Sequence, residues 1–166
     1  MKKLIALVLA LVCAISLIGC SAGEQVKTDG GTLRTPVEYT SNDANPNQWG
    51  IALEVDNVTA SGLTIICTQS GGNPSGGLQT GCDYVVEECI DGSWYKVDYI
   101  IDAYNVAWPA EAWIIPMNDS VAWDFNWEYL YGELAAGEYR IGKDIMDFRG
   151  TGDYDIARGY AEFVIQ

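Results

Sequence analysis

The sequence predicts an all-β fold: an antiparallel β-sandwich of about seven or eight strands, preceded by a signal peptide and a flexible tether. Three observations carry this. From Trp49 onward, apolar residues recur at every second position in short runs separated by turn residues, the pattern of half-buried strands. Between those runs no stretch sustains a helical period, which leaves an all-β layering. Finally, in Leu134-Ala135-Ala136-Gly137-Glu138-Tyr139-Arg140-Ile141 a turn ending in Gly137 precedes Tyr139 and Ile141 on one face. This is how a chain rounds the corner into a late strand of a Greek-key sandwich, the tyrosine hydroxyl bonding back to upstream backbone.

The composition fits one domain with an appendage. With 166 residues, 49% of them hydrophobic and 11% aromatic, the chain can build a sizeable core. Aspartate and glutamate number 23 against 9 lysines and arginines, so nucleic acid, which demands a cationic footprint, is excluded as a partner. Histidine is absent, which removes the commonest general base and the commonest metal ligand together.

Residues 1–19 read as a lipoprotein signal peptide. Lys2 and Lys3 precede an apolar run from Leu4 to Ile18, interrupted only by Ser16, too short and one-sided to span a membrane comfortably. The run ends Leu17-Ile18-Gly19-Cys20, which resembles the lipobox of bacterial lipoproteins. That resemblance implies cleavage before Cys20 and its lipidation, with the two or more acyl chains that stable anchoring requires. Residues 20–47 are rich in Gly, Thr, Ser, Asn, Asp and Pro without periodicity and read as a linker. As a flexible coil of roughly 26 residues it spans on the order of 28 Å. A short edge strand around Val37 and Tyr39 is the competing reading.

The domain follows over residues 48–166. Ile51, Leu53 and Val55 mark a first strand and Leu63, Ile65 and Cys67 a second, with Ser61-Gly62 turning between them. Gln69 to Gly81, studded with glycine, reads as a long loop. A third strand runs from about Cys82 to Ile90, Asp91-Gly92 forms a tight turn, and Trp94 to Ile101 continues as a fourth. Ala112 to Ile115 gives a fifth, stopped by Pro116. Val121, Trp123, Phe125 and Trp127 then alternate with Ala122, Asp124 and Asn126 in the clearest strand pattern of the chain, which places both tryptophans in the core. Trp127 to Leu134 crosses the end of the sandwich with a helical turn. A strand from Glu138 follows the corner, and Gly159 to Gln166 closes the fold with Phe163 and Ile165 inward.

From about Trp49 onward the chain resembles the bacterial immunoglobulin-like domains of envelope lipoproteins. The blocks that carry the resemblance are Asp91-Gly92-Ser93-Trp94, Trp123-Asp124-Phe125-Asn126-Trp127-Glu128, Leu130-Tyr131-Gly132-Glu133-Leu134, Gly137 to Lys143 and Met146 to Tyr154. It implies an Ig-like fold on the cell envelope and transfers no activity. Two positions depart from antibody domains: Ile141 stands where they carry a cysteine, and Ala135 where the corner motif usually has an aspartate.

The candidate sites come from residue chemistry. Cys67 and Cys82 flank the glycine-rich loop, and a disulfide between them would close about fifteen residues, worth roughly 3 kcal/mol. The alternative is that Cys67, Cys82 and Cys89 are small buried apolar residues. In a sandwich of this topology the loop from Gln69 to Gly81 and the stretch from Asp147 to Arg158 share one end. Asn73, Asp147, Arg149, Asp153 and Asp155 form a candidate recognition surface there, against the reading that the acids and arginines only pair locally. Asp153 and Asp155 supply far fewer ligands than calcium needs, so no metal and no cofactor is expected. Six tryptophans and ten tyrosines raise a carbohydrate-binding alternative, and the Asp-Gly turn with the Gly-x-Tyr corner a protease-inhibitor-like one. Nucleophile, base and oxyanion signatures are missing. The expectation is a monomeric, lipid-anchored, non-enzymatic domain facing outside the cytoplasm, with an unknown protein or glycan as ligand.

Overall fold

The computed structural model describes residues 26–27, 33–34, 36–37 and 45–166; the signal peptide, Cys20 and most of the linker lie outside the described residues. Two short strands, β1 (Val26–Lys27) and β2 (Leu33–Arg34), pair antiparallel. Pro36 then bridges Tyr95, and the Val37 N–H donates to the Trp94 carbonyl at 2.9 Å. A 3-10 turn at Pro46–Trp49, capped by the Asn45 side chain, leads into the sandwich.

The smaller sheet has three strands in the order β3 (Ile51–Thr59), β4 (Gly62–Gln69) and β9 (Ser120–Asn126). Facing it are β5 (Gly77–Thr80), β6 (Val85–Ile90), β7 (Ser93–Lys96), β8 (Trp113–Ile114), β10 (Gly137–Gly150) and β11 (Asp153–Ile165). Their order is β7-β6-β10-β5-β8, with β11 on the other flank of β10, and every pairing is antiparallel. A single helical turn, α1 (Glu128–Tyr131), caps one end, where the Trp127 indole donates to the Ala60 carbonyl at 3.0 Å. Asp91 and Gly92 take φ of 51° and 79°, the left-handed pair that a two-residue hairpin between β6 and β7 requires.

Three expected boundaries move. The stretch from Gln69 to Gly81 is not all loop, because Gly77–Thr80 crosses to the larger sheet and pairs with β10. The stretch from Asp147 to Arg158 is not a loop either: it is the tip of a long β10–β11 hairpin turned at Thr151-Gly152, with Asp147 directly opposite Asp155. The fourth strand stops at Lys96, and the chain from Asp98 to Ala112 runs irregularly across the open side of the sandwich.

β10 is the spine. Tyr139, Ile141, Lys143, Ile145 and Asp147 all face inward and all are buried. Opposite them on β11 stand Phe163, Ala161, Gly159, Ala157 and Asp155, so small residues meet large ones across the middle of the hairpin. At Gly159 an added Cβ would lie 3.0 Å from Leu53 and 3.3 Å from Pro46, so this glycine lets the smaller sheet close down on that side. On its other flank β10 meets one broken strand: β6 pairs with Tyr139 to Gly142 and β5 with Ile145 to Phe148. Between them Gly81 to Tyr84 bulges away opposite Lys143 and Asp144.

The corner forms as expected. The Tyr139 hydroxyl donates to the Ala135 carbonyl at 3.1 Å, its ring stacks on Phe163 at 5.7 Å, and Gly137 leaves the space beneath it, since a Cβ there would meet the ring at 3.1 Å. Because the acceptor is a main-chain carbonyl, Ala135 serves in place of aspartate. Tyr139→Phe removes one part-buried hydrogen bond and is expected to cost about 0.5–1.5 kcal/mol in a urea melt, with no change in the folded spectrum; an unaltered midpoint would sink the corner's structural role.

Candidate functional site

Three groups of polar or aromatic side chains stand out, and they differ in how fully their bonding capacity is used. The first is the sandwich end where Asn73, Asp147, Arg149, Asp153 and Asp155 were expected to meet. They do converge there, apart from Asn73, which is exposed and joins only through its backbone N–H, donating to the Gln48 carbonyl at 2.8 Å. Asp147 is buried on β10 and accepts from the Ser75 N–H and hydroxyl, each at 2.8 Å, and from the Gly76 N–H at 2.6 Å. Burial alone would push its carboxyl up, but those three hydrogen bonds together with Arg149 outweigh it and hold the pKa below the ordinary value. Arg149 donates to Asp153 at 2.8 Å, to Asp155 at 2.9 Å and to the Ser75 hydroxyl at 2.8 Å. The acids and the arginine thus bond one another and pin the Ser70–Gly76 connection to the hairpin tip. Gln69, fully buried, ties the same end together by donating to the Trp49 and Gly71 carbonyls while accepting from the Asn118 N–H.

The second group sits where the sequence offered no warning. Lys143 is fully buried between the two sheets, its ammonium donating to the Gly81 carbonyl at 2.6 Å and to the Asp83 carbonyl. It lies 5.3 Å from the ring centres of Trp113 and Phe125. Burial pushes its pKa down to about 8, against the pull of Asp83 and its neighbours. On the outer face of the larger sheet, the Arg140 guanidinium sits over the Trp94 and Tyr160 rings, 4.2 Å from each centre, and bridges Glu87 at 2.7 Å. Two effects oppose each other at Glu87. Burial wins and raises its carboxyl to about 7, even though Arg158, Tyr160 and Lys96 pull it down, while the Arg140 guanidinium donates to it at 2.7 Å. Beside it, Arg158 grips Asp144 with two hydrogen bonds of 2.6 and 2.7 Å.

The third is an aromatic cleft of about 410 Å³ on the open side of the sandwich, where β8 and β9 face each other. Tyr84, Trp108, Trp113, Phe125 and Tyr129 wall it, and Asn105, Asp124 and Asn126 supply its polar groups. Trp113 packs against Trp123 at 5.8 Å and Phe125 at 5.9 Å, and Tyr84 meets Trp108 edge-on at 5.2 Å. The covering segment is held by an Asp102-capped 3-10 turn at Ala103–Asn105 and by the Ile100 N–H donating to the Leu130 carbonyl at 2.8 Å. The signal for this cleft in the sequence is the poor strand phase of Trp108 and Trp113, which Trp94 shares.

No disulfide joins Cys67 to Cys82. Cys67, Cys82 and Cys89 are free thiols. Cys67 fills the core beside Ile51 and Ile145, where burial pushes its thiol up to about 11, and Cys82 turns outward to donate to the Pro109 carbonyl at 3.3 Å. Of the described residues, no three acids or cysteines are grouped to hold a metal ion. Asp153 and Asp155 are instead committed to Arg149.

The two-layer antiparallel sandwich with its tyrosine corner defines an Ig-like domain. Residues 45–163 match the bacterial Ig-like domain family, and the chain belongs to that family. Such domains are typically displayed outside the cytoplasm, and the family is generally non-catalytic. No curated protein matches the chain significantly. Among the described residues no helix is long and apolar enough to cross a membrane.

Two buried ionic groups generate predictions. Asp147→Asn turns one of the two acceptor oxygens into a donor facing an N–H, and is expected to cost about 2–3 kcal/mol in chemical denaturation; a neutral result would mean the Ser75–Gly76 cradle is not structural. For Lys143 the folded pKa of about 8 lies below the unfolded value of 10.5. Above pH 8 the folded chain sheds a proton that the unfolded chain still holds, so stability rises with pH across that window. Relative to Lys143→Met, which cancels other titrations, the native chain is expected to gain roughly 2 kcal/mol between pH 8 and 10. A pH-independent difference would show that the ammonium stays charged throughout.

Proposed function

We propose that this chain is a membrane-anchored lipoprotein whose Ig-like domain stands outside the cytoplasm as a monomeric, non-enzymatic adhesion or ligand-binding module. The observation that carries the binding half is the aromatic cleft: a concave, preformed space of small-ligand size, walled by rings and edged by a few polar residues. The Asp147–Arg149 end supports it by contrast, because a surface whose charges are all mutually bonded offers little to a partner. Support for the anchoring half is the ordered signal peptide pattern ending at Cys20. Acid excess disfavours nucleic acid and holds the domain off an anionic bilayer.

Both halves are open to one pair of measurements. With Cys20 intact, fatty-acid labelling and detergent partitioning are expected to place the chain in the membrane fraction. Cys20→Ser is expected to abolish labelling and release an otherwise folded protein. The released chain is then expected to adhere saturably to immobilised bacterial envelopes. Label retained by Cys20→Ser would overturn the anchor, and adhesion no greater than that of a heat-denatured control would overturn the binding role.

A further inference from the structure

We propose that the aromatic cleft binds the end of a neutral glycan chain, with the Trp108 and Tyr129 rings as its stacking walls; this deepens the ligand-binding reading above and rests on it. An anion needs a cation to meet it. None of the residues lining the cleft is a lysine or arginine, and Lys143, against the Trp113 and Phe125 rings, is fully buried with its hydrogen bonds going to the Gly81 and Asp83 carbonyls. An acidic ligand would also approach a chain with a formal charge of −14. For a cation the cleft is no better. The rings of Trp113 and Phe125 already face the Lys143 ammonium, and a second positive charge would be set against the first.

A neutral ligand with one apolar face and a rim of hydroxyls fits what remains. Trp108 is 37% exposed and touches Tyr84 edge-on, which leaves ring surface free; Tyr129 is 69% exposed on α1. The C–H faces of a pyranose ring stack on such surfaces, while its hydroxyls need mixed donors and acceptors. Asp124 borders the cleft on β9, an edge strand of the smaller sheet, with its carboxylate turned to the outer face to accept from the Thr64 hydroxyl at 2.7 Å. The Asn126 side-chain oxygen accepts from the Glu128 N–H at 3.1 Å, leaving its NH2 to donate. Asn105 adds a second amide at the same mouth. At about 410 Å³ the space holds a terminal sugar and part of its neighbour. One wall is also fixed before any ligand arrives, since Trp113 packs against Trp123 and its indole N–H donates to Glu111 at 3.3 Å.

The test uses the full chain carrying Cys20→Ser, titrated by calorimetry and tryptophan fluorescence. The probes are neutral oligosaccharides of the gluco, manno, xylo, galacto and N-acetylglucosamine series, with oligogalacturonate, sialyllactose and choline as charged counterparts. At least one neutral series is expected to saturate, and Trp108→Ala is expected to weaken it by about tenfold or more without moving the melting curve. Tyr129→Ala, an exposed position, provides a second variant if the first unfolds. The assignment falls if no neutral glycan saturates, if a charged probe binds more tightly, or if both variants bind like the native chain. Envelope adhesion separates this failure from the broader one. Adhesion that persists and is lost in Trp108→Ala, with every glycan silent, removes the glycan and keeps the binding module; loss of both removes the two readings together.

Discussion

The larger sheet depends on a lysine in the core. β10 is fourteen residues long and needs a partner along its length, yet the strand beside it is broken into β5 and β6 by a bulge with two residues too many. A bulge frees backbone carbonyls, and inside a sandwich each unsatisfied one costs about 1–3 kcal/mol. Lys143 supplies the missing donors to Gly81 and Asp83, while Thr80 closes the remaining gap by donating its hydroxyl to the Asp144 carbonyl at 2.7 Å. Desolvating an ammonium is expensive, and two aromatic faces and two carbonyls offset it. The same group separates the hydrophobic interior into a cluster around Ile141 and Trp127 and another around Ile145 and Leu78.

That bulge also explains why the sandwich is tight on one side and open on the other. Along the β3 and β11 side, Ala157, Gly159 and Ala161 let the sheets approach, and Leu53 and Pro46 fill the remaining space. Across the core, Gly81 to Tyr84 is pushed outward, β8 is only two residues long, and the gap between β8 and β9 must be filled by large rings. Tyr84 reaches the cleft because it ends the bulge. The cleft is thus a consequence of the irregularity in the sheet, and Lys143 is the floor on which its rings rest.

Much of the fold was legible because its physics is local. Period-two runs located β3, β4, β6 and β9, the Asp91-Gly92 pair located a hairpin, and Gly137 with Tyr139 located the corner. What failed was a single rule applied too strictly. Lys143 and Asp147 occupy inward positions of β10, but their charge reads as solvent-facing, so in the sequence the tip of the strand reads as a loop. β5 was hidden by the glycines around it, where Gly76 comes close to the Phe148 backbone and a Cβ would be 2.2 Å from its carbonyl. The cleft could be anticipated only as misfit tryptophans, since its walls come from segments that meet across the sandwich.

The contrast between the two candidate surfaces turns on unspent bonding capacity. At the Asp147 end every acid has its donor and Arg149 has three acceptors, so an incoming ligand would have to break bonds of the kind it makes, with little net gain. The charges clustered at that tip are spent in large part on one another. In the cleft the balance is opposite: Trp108 and Tyr129 keep exposed ring area in contact with water, and covering it is favourable with no bond to break first. The tyrosine corner and the Asp147 cradle therefore fasten the ends of a rigid scaffold, and the proposed recognition site lies on the side where the strand pairing is least regular, a separation of fastening from binding that loop-borne sites on β-sandwiches share.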